Sequence, residues 1–252
     1  MSKELNHEMR AYTAWDILVE WTKTSSTITY KELADRVGVH SRACKYFLEH
    51  IENYCIEQKL PPLTSIVVNH AGEIGQGFTE WDTDNLRKGQ QLVYDFKWGN
   101  YLNPFAYAAN DDTQQDLIKE IINGEGSQAL YTKVKVKGIA QKIFRSALLK
   151  AYDSKCAFCN FKIPHALEAA HIVPWSESSD GEKLDIQNGV LLCSNHHKLF
   201  DNNIYYINSD LTIGINGYKS RLQDQKISLP KNKDHWPRED FLTRRTALSH
   251  SK

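Results

Sequence analysis

Four residues of the C-terminal half could hold a metal. Cys156 and Cys159 form a CxxC, and Cys193 and His196 form a CxxH. Each spacing lets one tight turn present two donors to a single ion. Four soft or borderline donors from two such turns suit tetrahedral Zn²⁺ in a closed, structural site. The insert between the turns is longer than in a typical zinc finger, so the ion would pin together the ends of a functional segment. The bland alternative is a pair of buried cysteines with surface histidines. A disulfide is disfavoured, because the three cysteines here leave an odd thiol.

Between the knuckles stand residues suited to proton transfer and to a harder cation. Leu167 to Val173 reads as a strand ended by Pro174, with His171 and Ala169 on one face and Glu168 and Ala170 on the other. Ser176 to Gln187 is polar and contains Asp180-Gly181, which predicts a loop. Asn188-Gly189 follows, then a return strand, Val190 to Cys193. Asn195 is a candidate N-cap for a helix, on which His197 and Asp201, four apart, share one face. His196 and His197 would point about 100° apart, so one can face the knuckle and the other a second site. A neutral imidazole with a pKa near 6.5 suits a general base. Taken singly, His171 reads as a satisfied polar residue, Asn188-Gly189 as a turn and His197 as a surface residue. Their joint order is the informative feature.

That order, Leu167-Glu-Ala-Ala-His-Ile-Val-Pro-Trp, then Gln187-Asn-Gly-Val-Leu-Leu-Cys-Ser-Asn-His-His-Lys-Leu-Phe-Asp201, resembles the HNH nucleases, whose fold is two strands and a helix around one catalytic metal. The resemblance covers about residues 140 to 245, with its specific motifs within 156 to 201. It implies His171 as the base that activates water, Asn188 as a tie from the loop to the base strand, and His197 as a metal ligand. Asp201 stands where many relatives carry a further metal-binding histidine. A carboxylate there suits Mg²⁺ or Mn²⁺. Many relatives carry a metal-binding Asp or His just before the base; here that residue is Ala170. Glu168 is the nearest spare carboxylate, as ligand or as support.

With 252 residues and 41% hydrophobic content, the chain can bury the core of one large domain or two modest ones. The formal net charge is zero, so overall charge does not advertise nucleic acid. Charge is nevertheless uneven: from Lys133 to Lys162 the only acid is Asp153. Lys142 and Arg145 in this tract are candidate phosphate contacts, the alternative being a solvated helix face. Five cysteines, a start without an apolar signal core, and no run of membrane-spanning length predict a cytoplasmic protein with no membrane partner.

The front half reads as mainly helical. Residues 7 to 24 carry an apolar stripe, and Thr29 with Glu32 fits a capping box that starts a helix over Tyr30 to Val37. Gly38 permits a turn, and Ser41 could cap a second helix to about Cys55. This is a helix-turn-helix outline that would place His40, Arg42, Lys45 and Tyr46 towards DNA; the alternative is a helical hairpin within a core. Leu63 to Asn69 reads as a strand, and the glycine-rich 71–77 turn after it would complete a wing. The segments Thr29–Val39 and Leu60–Phe78 faintly resemble the DNA-binding domain of alkylguanine-DNA alkyltransferases. That family's Pro-Cys-His-Arg motif has no counterpart around Val68-Asn69-His70, so alkyl transfer is not expected. Gly124 to Gln128 reads as a linker, Lys133 to Lys137 as a short exposed strand, and Gln141 to Tyr152 as an amphipathic helix. His165 and His235 are assigned structural or surface roles.

The expectation is therefore an α+β chain. Residues 1–125 would form a winged-helix-like DNA-binding or specificity domain, and 126–252 a ββα-metal nuclease domain with a zinc knuckle pair. The function expected is metal-dependent DNA endonuclease activity of a restriction or phage-defence type, with a homodimer as one route to double-strand cutting. The alternative is a non-catalytic, zinc-containing DNA-binding regulator.

Overall fold

In the computed structural model, which describes residues 5–124, 127–134 and 136–250, the chain divides into two compact units, Met1–Thr113 and Gln114–Lys252.

The first unit is helical. Helix α1 (His7–Thr22) starts at Asn6, whose side chain accepts the Met9 N–H, and buries Ala11, Ala14, Trp15 and Leu18. A two-residue strand, β1 (Ile28–Thr29), leads into α2 (Tyr30–Val37). Thr29 caps α2 by accepting the Glu32 N–H, and Gly38, at φ 77°, ends it in the left-handed region that favours glycine. A 3₁₀ turn over Ser41–Ala43 runs into α3 (Cys44–Gln58), which buries Phe47, Leu48 and Ile51. The strand expected over 63–69 shrinks to β2 (Val67–Val68), preceded by a buried 3₁₀ turn, Leu63–Ile66. It pairs in parallel with β1 and not with an antiparallel neighbour as a hairpin wing would. Helix α4 (Leu86–Asp95) and short 3₁₀ turns complete the unit.

The second unit opens with α5 (Gln114–Asn123) and α6 (Ser127–Lys133). Of the expected linker, residues 125 and 126 lie outside the described residues, while Ser127 and Gln128 are helical. The strand expected over 133–137 is corrected at both ends: Lys133 closes α6 and Lys137 opens α7 (Lys137–Ala151); Lys135 lies outside the described residues. Helix α7 buries Ile143, Phe144, Ala147 and Leu148 and packs on the antiparallel pair β3 (Leu167–His171) and β4 (Gly189–Cys193). Helix α8 (Ser194–Asp201) follows β4 directly. It begins two residues earlier than expected, so Cys193, not Asn195, is the N-cap. A hairpin of β5 (Tyr205–Ile207) and β6 (Ile213–Ile215) and a final helix, α9 (Glu239–His250), end the unit.

Candidate metal centre and active site

The β3–β4 register sets the frame. Leu167 pairs with Cys193 and His171 pairs with Gly189. One end of the ladder therefore carries a cysteine of the knuckle. The other, four residues and roughly 13 Å away along the strand, carries the imidazole beside Asn188.

At the first end, donor atoms of Cys156, Cys159, Cys193 and His196 all lie within 4.8 Å of one another. The Nδ1 of His196 is 3.2 Å from the sulfur of Cys193 and 3.6 Å from that of Cys156, and the Cys159 and Cys193 sulfurs are 3.9 Å apart. A tetrahedron with metal–sulfur bonds of about 2.3 Å has edges of about 3.8 Å, so this donor set fits one tetrahedral ion such as zinc. The CxxC turn is shaped by Asn160 in the left-handed region, φ 62°. It is docked on the sheet by the Ala157 N–H to the Leu191 carbonyl, 2.8 Å. His196 also packs against Phe158 and Tyr205, which fixes its ring.

At the second end, Nε2 of His171 donates to the Lys183 carbonyl at 3.0 Å. A carbonyl can only accept, so in the neutral ring Nδ1 is the free lone pair. The ring stacks on Phe144 of α7, with centroids 4.3 Å apart and planes at 21°, and meets the edge of Trp175 at 5.4 Å. Burial lowers the His171 pKa from the ordinary histidine value. The Lys183 bond acts against this, and His197 reinforces it. Asn188 is fully buried. Its Oδ1 accepts the Val173 N–H at 2.9 Å, and its Nδ2 donates to Ser178 Oγ and the Glu182 carbonyl. It thus ties the 174–188 loop to the residues just after the base strand and holds Lys183 in place for His171.

His197 points away from the knuckle, between two carboxylates. Its Nδ1 lies 2.5 Å from Glu168 Oε2, and its Nε2 lies 3.6 Å from Asp201 Oδ2. Burial tends to raise the Glu168 carboxyl; bonds from Ser194 and His197, with nearby Arg145, outweigh it and hold the group below the usual carboxylate range. Because the two acids address different ring nitrogens, His197 cannot share one ion with both. The expected three-residue set of Glu168, His197 and Asp201 is therefore not assembled around one point, and Glu168 sits as a partner of His197.

The candidate phosphate contacts are divided between the two units. Arg42 and Lys45 are exposed in the first unit, and Lys142 is exposed on α7. Arg145 is half-buried, and its guanidinium donates to the carbonyls of Pro164 and Leu167, which fastens the entry to β3. Of the two remaining histidines, His165 is exposed, whereas His235 is buried and donates to the Ile122 carbonyl.

Sequence reasoning missed a cluster beside the imidazole. The Lys137 and Lys183 ammoniums lie 5.4 and 5.7 Å from the Trp175 ring centroid, and Lys183 lies 4.7 Å from that of Tyr131. It also missed the role of α9. Arg244 reaches Glu182 and the Glu177 carbonyl, and Arg245 reaches the carbonyls of Phe200 and Ile172. These arginines staple the loop and α8 from behind. The Trp175 position, next to Pro174 after the histidine, and the adjacent pair Arg244-Arg245, like the tail of related chains, were the local signals.

Residues 156–208 match the family model of the HNH endonucleases. The match spans both knuckles, both strands and α8, and it supports a nuclease with a nucleic-acid substrate. No curated protein matches the chain. Among the described residues, no helix is long and apolar enough to cross a membrane.

Proposed function

We propose that the chain is a metal-dependent DNA endonuclease whose second unit cuts and whose first unit binds or selects DNA. The observation that carries this reading is the state of His171. Its Nε2 is engaged by the Lys183 carbonyl, its ring is wedged between Phe144 and Trp175, and burial favours the neutral form. A base needs that combination of fixed tautomer, fixed orientation and an available lone pair at neutral pH.

In the reaction, Nδ1 of His171 takes a proton from water as the water oxygen attacks phosphorus and the bond to the departing 3′ oxygen breaks. Nε2 of His197, with the Asp201 carboxylate, would hold a Mg²⁺ or Mn²⁺ ion, and Glu168 would orient His197 through Nδ1. A bound divalent ion supplies positive charge to offset that of the phosphorane and the leaving oxygen. Lys137 and Lys183, held over Trp175, would meet neighbouring phosphates. Asn188 is a positioning residue. Zn²⁺ in the Cys156, Cys159, Cys193 and His196 site would be structural. A nuclease core of this kind contacts little more than backbone, so choice of sequence has to come from elsewhere in the chain. That division of labour fits a restriction or phage-defence enzyme.

Plasmid DNA incubated with Mg²⁺ or Mn²⁺ tests the reading against the regulator alternative. Metal-dependent nicking or linearisation supports it. Binding to DNA with no cleavage in either ion, on modified and unmodified substrates, rejects it.

A further inference from the structure

The first unit contains a cavity of about 680 Å³ between α3 and the 75–79 loop, lined by none of the residues of the knuckle or of the His171 and His197 sites. Its wall is graded in charge. Lys45, Glu49 and Glu52 fall at i, i+4 and i+7 along α3 and so share one face. Arg42 extends that face into the preceding 3₁₀ turn. From Lys45 to Glu52 the helix rises about 10 Å. One end is therefore cationic and the other offers carboxylates. Tyr30 and Phe78 also line the cavity.

The anionic end is built. Glu52 is buried, and its Oε1 accepts both the backbone N–H and the hydroxyl of Thr79 at 2.6 Å. Its position in the cavity wall is thus fixed by Thr79. The wall opposite is fixed too. The Gly75 N–H donates to the Tyr30 hydroxyl at 3.0 Å, and a Cβ at Gly75 would come within 2.8 Å of that oxygen. A purely apolar ligand would leave the charged ends of this wall desolvated, and a simple anion would be repelled at the Glu52 end.

We propose that this cavity takes one nucleotide, with its phosphate at Arg42 and Lys45 and an amino-bearing base between Tyr30 and Phe78, its exocyclic amine donating to Glu52. The inference deepens the DNA reading above by naming the group that the first unit would select. Stacking on aromatic walls with hydrogen bonds to the edge of the base is how an unstacked base is read. The nucleotide could be one drawn out of a DNA strand or a free mononucleotide.

The test is calorimetric binding of dAMP, dCMP and dTMP, and anisotropy of labelled single-stranded and duplex oligonucleotides, to the full chain carrying His171→Ala, which keeps the DNA intact. Binding is expected to favour amino-bearing over keto-only pyrimidines by at least tenfold. Glu52→Gln should erase that preference, because an amide both donates and accepts. Lys45→Ala should weaken all ligands about equally. Asn53→Ala, at an exposed lining position that leaves the Glu52–Thr79 pair intact, is expected to weaken binding without affecting thermal stability. Mononucleotide binding would identify a free ligand, and an effect confined to oligonucleotides would identify a base drawn from DNA. Binding unaffected by all three substitutions, or no binding of either class by folded protein, overturns the proposal. None of these readouts requires cleavage, so failure of the nuclease reading would be seen separately.

Discussion

The imidazole of His197 is held between two acids, with Glu168 2.5 Å from Nδ1 and Asp201 3.6 Å from Nε2. This is the arrangement by which a carboxylate fixes the tautomer of a metal-binding histidine and raises its basicity. Glu168→Gln is expected to raise the divalent ion concentration needed for half-maximal cleavage by about 10- to 100-fold, with the rate at saturating ion largely retained. Asp201→Asn should lower the rate even at saturation. Ion titrations of both variants check this. Equal losses at saturating ion would mean that Glu168 touches the ion directly.

The acid limb of the cleavage profile should follow His171. Burial lowers its pKa, and a base works only when deprotonated, so activity is expected to persist below pH 6.5 and fall at a more acidic midpoint than an ordinary histidine would set. Phe144→Leu removes the ring that stacks on the imidazole. It should move that midpoint upwards, as seen in rate–pH profiles at saturating ion.

Gly189 is a packing requirement. A Cβ there would lie 2.6 Å from Phe144 Cζ and 2.8 Å from a methyl of Leu148. Gly189→Ala is predicted to cost about 1–3 kcal/mol, because β4 must then move off α7. Thermal melting measures the loss. The cleavage rate should drop with it, since the displaced Phe144 is the floor under His171.

How much of this was legible in the sequence depended on range. Thr29 and Glu32 lie three apart and declared their helix, because a capping side chain and its N–H are local. The two knuckles were legible for the same reason, each being a single turn. Leu63 to Asn69 misled, because its apolar run fits a strand equally well as a buried turn. What decided it was a partner strand nearly forty residues earlier that offers only Ile28 and Thr29. Arg145 was read as a phosphate contact from its place in a basic tract, but the carbonyls it serves are brought to it by folding of residues 164–167. What Lys183, Lys137 and Arg245 touch was not legible, because the Trp175 ring between the two lysines and the Phe200 carbonyl under Arg245 are brought to them only by folding.

In the first unit, burial pushes the Glu80 carboxyl from its ordinary 4.5 up to about 8, although Thr64 donates to one of its oxygens. The unfolded chain releases this proton near 4.5 and the folded chain near 8, so between these values the folded state binds more protons. Its stability therefore falls as pH rises through that window. Glu80→Gln, which stays neutral, should be relatively more stable at pH 8.5 than at pH 5 when compared with wild type. Paired melts at the two pH values give the difference directly.

Removing one knuckle ligand should separate structure from chemistry. Cys159→Ser is expected to lower bound zinc from one ion per chain and to destabilise the second unit by several kcal/mol, since metal binding and folding are one equilibrium at such sites. Metal analysis and melting of the purified chain report the two effects. Full zinc content in the variant would remove Cys159 from the donor set.

The most direct test is the single-turnover cleavage rate of His171→Ala against wild type, in Mg²⁺ and in Mn²⁺, on chains shown to have equal melting temperatures and equal zinc content. Loss of the base should slow cleavage by about 10²- to 10⁴-fold. A variant that cuts as fast as wild type would contradict the account.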